Sequence, residues 1–148
     1  MKPSEQFLPN DILDRSTLIG NEYSWTVGDV PRVIEAARLA NLVSIGGQLQ
    51  FRFPDGEVCE CYWVQVDTFQ SVPAELPWSE RVSRTAEAAA SQFQFLLEKY
   101  DFISEGRSGF ARYLDAFEMQ GGDLNEIMRF VWYVESEDEA EQHRLFGS

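Results

Sequence analysis

The sequence predicts an α+β fold, a small antiparallel sheet packed against about three helices. Three observations predict it. A Pro-Asp-Gly turn separates two runs that alternate apolar and polar residues from about 43 to 66. A long apolar stripe at helical spacing runs from about Ser79 to Tyr100. A second run of strand-forming residues, Phe-Val-Trp-Tyr-Val, stands near the end. At 148 residues, 44% apolar and 14% aromatic, the chain is long enough for one domain with a sizeable core.

Along the chain, the stretch to about Gly20 reads as a loop or a short helix packed on the body. "NEYSWTV" reads as a short strand or extended lead-in. Val30, Val33, Ile34, Ala37 and Ala40 recur at helical spacing and predict a helix over 30–41. Asp29 is its expected N-cap, Pro31 sits in its first turn and Asn41 lies near its end. The glycine pair in "IGGQ" predicts a bulge or a close backbone approach.

The hairpin follows. Pro54 fixes φ, and Gly56 supplies the positive φ of a three-residue loop. That register pairs Phe53 with Glu57, Phe51 with Cys59 and Leu49 with Cys61. It puts Leu49, Phe51, Phe53, Cys59, Cys61 and Trp63 on the core face, with Glu57 as the exception beside the turn. Gln48, Gln50, Arg52, Glu60 and Tyr62 fall on the other face, with Val58 as the exception.

After a Pro-rich loop, Ser79 is the expected cap of a helix over 79–100, carried by Val82, Ala86, Ala89, Phe93, Leu96, Leu97 and Tyr100. A further helix over 108–119 would start at Ser108 and stop at Gly121 or Gly122. Residues 123–134 send two signals. Asp123 with Glu126 imitates a capping box, while the aromatic and β-branched run favours a strand over 128–134. The strand reading is preferred because an isolated hairpin is marginal without a third strand. The tail from Glu135 is rich in acids and reads as solvated, with Leu145 and Phe146 as apolar residues able to dock it.

Twelve basic against 25 acidic residues give a net charge of −13. The excess is even along the chain: five bases and eleven acids up to Trp78, seven and fourteen after it. Without a basic region, direct binding to nucleic acid or to an anionic membrane is not expected, because both draw affinity from cationic contacts. No apolar run approaches the roughly 20 residues of a membrane span. The first residues contain no apolar core of a signal peptide, so a cytoplasmic location with reduced thiols is expected.

Tests for chemistry point away from catalysis. Cys59 and Cys61 are two apart on one strand, about 6.5–7 Å between equivalent atoms, too far for an unstrained bridge. Two cysteines and the distant His143 make a poor zinc set. Glu60 between the thiols opposes a reactive thiolate. A serine mechanism would have to recruit that lone histidine, so "GRSG" reads as a helix start. The acid-rich tail lacks the spacing and glycine of a calcium loop. The expectation is a non-enzyme without cofactor or metal.

The chain resembles the small acidic α+β immunity proteins that bacteria encode beside polymorphic or contact-dependent toxins. The residues that carry the resemblance are Tyr23-Ser24-Trp25, Asp29 opening a helix, "GGQLQFRFPDG" with Tyr62-Trp63, and "FVWYVES". None is catalytic. The resemblance implies tight binding of one toxin domain, expected to be basic, and blockage of its active site. Acidic side chains then mimic the phosphates of a nucleic-acid substrate and speed encounter. The expected contacts are Glu135, Glu137, Asp138, Glu139 and Glu141, with Asp55, Glu57 and Arg52 at the hairpin tip as the second choice. The alternative from another class is a non-enzymatic ligand-binding or regulatory module with an apolar pocket between sheet and helices. An unrecognised hydrolase is a weaker third.

Overall fold

A computed structural model describes residues 3–146. It is an α+β fold built on one five-stranded antiparallel sheet. The strands are β1 (Thr17–Ile19), β2 (Glu22–Trp25), β3 (Val43–Arg52), β4 (Val58–Asp67) and β5 (Met128–Glu135), in the spatial order β1-β2-β5-β3-β4. The helices are α1 (Asn10–Leu13), α2 (Val30–Leu39), α3 (Trp78–Lys99), α4 (Phe102–Met119), α5 (Leu124–Ile127) and α6 (Glu137–Phe146). No helix among the described residues is long and apolar enough to cross a membrane.

The centre of the sheet explains the late apolar run. β5 lies between β2 and β3, so it meets neighbours along both edges. Phe130, Trp132 and Val134 face the helical layer and belong to the core cluster with Leu49, Phe51 and Phe93. The Phe93 ring stands edge-on to Phe130 at 5.1 Å. Val131, on the opposite face, is also fully buried. Both sequence signals over 123–134 prove real. Asp123 accepts from the Asn125 N–H and opens the single turn α5, and β5 starts immediately after it.

The hairpin adopts the expected register. Phe53 N–H donates to Glu57 O, and Phe51 and Leu49 oppose Cys59 and Cys61. Gly56 has φ 94°. Both cysteines are buried and unbridged. The alternation holds through Trp63 and breaks after it. Leu49 opposes Cys61 but Gln48 opposes Gln65, so Tyr62, Trp63 and Val64 form an extra segment in β4. The inserted odd number of residues reverses the facing. Tyr62 is exposed, as expected, and Trp63 packs half-buried against the core, while Val64 and Val66, of the opposite parity, now point inward.

The "IGGQ" glycines serve as both a bulge and a close approach. Ile45 is an extra residue against β5, and Gly46 has φ 147°. A Cβ on Gly46 would lie 2.0 Å from Val66 O, and one on Gly47 would lie 1.8 Å from Val131 O.

Helix boundaries differ more. Asp29 makes no capping bond; it pairs with Arg15 and Arg32. α2 ends as expected, with Asn41 at φ 63° and Leu42 N–H returning to Ala37 O. α3 starts after Pro77, so Ser79 lies inside its first turn and caps nothing. The helix expected over 108–119 begins earlier, at Phe102, where Asp101 accepts from the Ser104 N–H. Ser108 donates to Glu105 O instead of capping. The sequence signal near Ser108 corresponds to a kink at Phe110, φ −141° and ψ 37°. Arg107 reaches across the kink to Asp115 at 2.5 Å and to Glu118. In a straight helix Asp115 would lie about 12 Å further along the axis. At the N-terminal side, the expected short helix is α1 and the expected strand is β2. β1, which the sequence reading left out, turns into β2 through Gly20 at φ 63°.

Candidate functional site

The candidate contact residues fall into three places, set by the direction of β3. Val43 opposes Glu135 at one end of this strand, and the tip turn follows Arg52 at the other. Ten residues of strand separate the two ends by about 30 Å.

At the Val43 end, the short 3-10 turn Ser4–Phe7, β5 and α6 line an acidic cleft of ≈ 440 Å³. Glu135 and Glu139, both expected contacts, line it together with Glu5, Glu22, Tyr133 and His143. The sequence reading missed the last four, because only the sheet order brings Glu5 and Glu22 beside residues more than a hundred positions away. The tail is not a free chain here. Residues Glu137–Phe146 form a helix with acids in its first turn and bases in its last, the arrangement that favours the helix dipole. Ser4 Oγ donates to Glu139 at 2.5 Å, Ser136 N–H donates to Ser4 Oγ at 2.9 Å, and His143 Nδ1 lies 3.0 Å from Glu135. Glu139 and Glu135 are therefore engaged. Glu137 and Asp138 are exposed, and Glu141 pairs with Arg144. Leu145 and Phe146 do not dock; they are 58% and 82% exposed.

Glu5 is the buried member of this cleft, only 8% exposed. It accepts the Val134 N–H at 2.8 Å. Burial nevertheless pushes its carboxyl above the ordinary value, and the neighbouring charge of Glu139 adds to that push.

On the sheet face away from the core, Gln50, Arg52 and Glu60 join a closed polar network. Gln50 is fully buried and Arg52 is 7% exposed. Arg52 donates to Thr17 O at 2.9 Å, Glu22 O at 3.0 Å and Gln50 Oε1 at 3.0 Å. Gln50 Nε2 donates to Glu60 at 3.1 Å, and the Tyr133 hydroxyl donates to Glu22. β2 pairs with β5 only at Ser24 and Trp25, which leaves the β1–β2 hairpin free to lie over this face and be caught by Arg52. Arg52 thus does not join Asp55 and Glu57 at the tip. Alternation alone cannot reveal a hairpin that folds across the face. Burial works against the Arg52 charge, and Glu22 and Glu60 support it.

At the tip, Asp55 and Glu57 are exposed beside α4, where Phe53, Arg112, Tyr113 and Phe117 complete a groove of ≈ 320 Å³. Asp55 Oδ1 accepts the Glu57 N–H at 2.9 Å and so fixes the turn. Among the described residues, Asp55, Glu57 and Arg112 form no ion pair.

The thiols stand apart from all three places. Burial pushes Cys61 up to about 12 and raises Cys59 as well, so neither is poised as a nucleophile. Among the described residues, no group of three or more His, Cys, Asp or Glu side chains is arranged to hold a metal ion. The space between sheet and helices, where the alternative reading places a ligand, is occupied by packed core side chains. The acidic cleft and the tip groove both open at the surface. No protein-family model, curated protein or solved structure matches this chain.

Proposed function

We propose that this protein is an immunity-type inhibitor that binds one basic protein toxin and blocks its active site. The observation that carries the reading is the gathering of Glu5, Glu22, Glu135 and Glu139 around one cleft, next to the exposed Glu137 and Asp138, in a chain of net charge −13. Such a concentration raises the local negative potential and speeds encounter with a positively charged cleft. A carboxylate row is also the shape of charge that an enzyme acting on nucleic acid is built to receive. The binding surface is rigid where it matters, because Glu135 and Glu139 are held by His143 and Ser4. Pre-set carboxylates lose less side-chain freedom on binding.

Co-expression with the product of the gene immediately upstream tests the reading. Rescue from toxicity together with a complex that survives gel filtration supports it. A co-purified small molecule with no rescue and no complex favours the ligand-binding module instead.

A further inference from the structure

The tip groove carries an inference about which part of a partner is recognised. Its floor is aromatic: Phe53 and Phe117 meet edge to face at 5.6 Å, and Tyr113 is 53% exposed. One wall bears Asp55 and Glu57, the other Arg112, and none of these charges is spent on an ion pair among the described residues. Elsewhere on the same helix Arg107 pairs with both Asp115 and Glu118 across the kink. The groove is held open by fixed backbone. The Asp55 bond to the Glu57 N–H sets one wall, and the kinked second half of α4 sets the other.

An aromatic floor with a charged rim is the anatomy of an interface anchor point. We propose that this groove docks a segment of a basic protein in which an arginine stands beside a large apolar side chain. The apolar side chain lies on Phe53, Tyr113 and Phe117. The guanidinium, favoured by its planar fork and by stacking on Tyr113, meets Asp55 and Glu57. Arg112 donates to a backbone carbonyl of the same segment. The inference rests on the reading of a basic protein partner and names the element of it that is held. A standard interface is about 30 Å across, so one partner can use this groove while the acidic end steers its approach.

Fluorescence anisotropy with labelled decapeptides tests it on the full chain. The probes share one frame and carry an Arg-Leu-Phe, a Glu-Leu-Phe or an Arg-Gly-Gly core. The Arg-Leu-Phe probe should bind, the Glu-Leu-Phe probe about tenfold more weakly and the Arg-Gly-Gly probe weaker still. Asp55→Asn combined with Glu57→Gln keeps the turn acceptor, removes both charges and should cost about fivefold in affinity. Tyr113→Ala, at an exposed position, should cost about tenfold with the fold unchanged by circular dichroism. Equal binding of the Arg and Glu probes, or amide shifts that map to α6 instead of α4, overturns the proposal. Concentration-dependent shifts at Tyr113 without peptide overturn it too, by giving the groove to a second copy of the chain. A complex with the upstream gene product that is indifferent to these substitutions defeats the groove alone. Peptide binding by a protein that forms no such complex defeats the inhibitor reading alone.

Discussion

Trp63 donates its indole N–H to Glu105 at 2.9 Å, and this bond ties the extra segment of β4 to the first half of α4. The ring also stacks with Phe110 at 6.4 Å, beside Gly109, where a Cβ would lie 2.6 Å from it. Trp63→Ala should therefore loosen α4 from the sheet and cost about 3 kcal/mol in urea unfolding. Glu105→Gln keeps an acceptor and should cost under about 1 kcal/mol. Equal costs for the two would show that the bond, not the packing, holds the helix.

The glycine pair gives a sharper contrast. Gly47→Ala forces a methyl onto Val131 O and should cost more than about 3 kcal/mol or abolish folding. Gly28→Ala meets open space and should change stability by less than about 0.5 kcal/mol. Soluble yield and thermal melts of the two variants decide the point.

Glu5 makes a signed prediction for pH. Its folded carboxyl titrates above the ordinary 4.5, so the folded state binds the proton more tightly than the unfolded chain. The stability this contributes is complete below about 4.5 and is lost as pH rises through the raised value. Glu5→Gln keeps an oxygen for the Val134 N–H and removes the buried charge. It should raise the melting temperature at pH 7 and flatten the fall in stability above pH 4.5. A variant less stable than the parent at pH 7 would refute this account of the cleft.

The buried thiols should be slow. At pH 8 in the folded state, Cys59 and Cys61 should react with a thiol reagent far more slowly than in urea, because burial opposes the thiolate. Cys61→Ala should cost on the order of 1 kcal/mol without altering partner binding. Fast labelling of the folded chain would show that the hairpin face is open.

Legibility in the sequence followed the range of the interactions. The hairpin register was readable because the Pro54–Gly56 turn and alternation are local. The strand Met128–Glu135 was readable because a central strand is apolar on both faces. Helix starts were misplaced where serine offered a cap that the chain did not use. Pro77 and Asp101 take those positions. The parity reversal at Tyr62–Val64 carried no turn residue to announce it. The acidic cleft was half legible: Glu135 and Glu139 stood out as a run of acids, but Glu5 and Glu22 join them only through tertiary placement. Arg52 was misread for the same reason, since the hairpin that buries it lies about thirty residues away in sequence.

The rate at which the purified chain associates with the upstream gene product, measured by stopped flow across salt concentrations, tests the central claim most directly. Glu137→Lys with Asp138→Lys changes only exposed side chains and leaves the bonds of Glu139 and Glu135 in place. The account predicts association about tenfold slower than the parent at low salt, convergence of the two rates as salt rises, and a melting temperature lowered by no more than a few degrees through the lost helix-dipole contribution of the two acids. Equal association rates at low salt would contradict it.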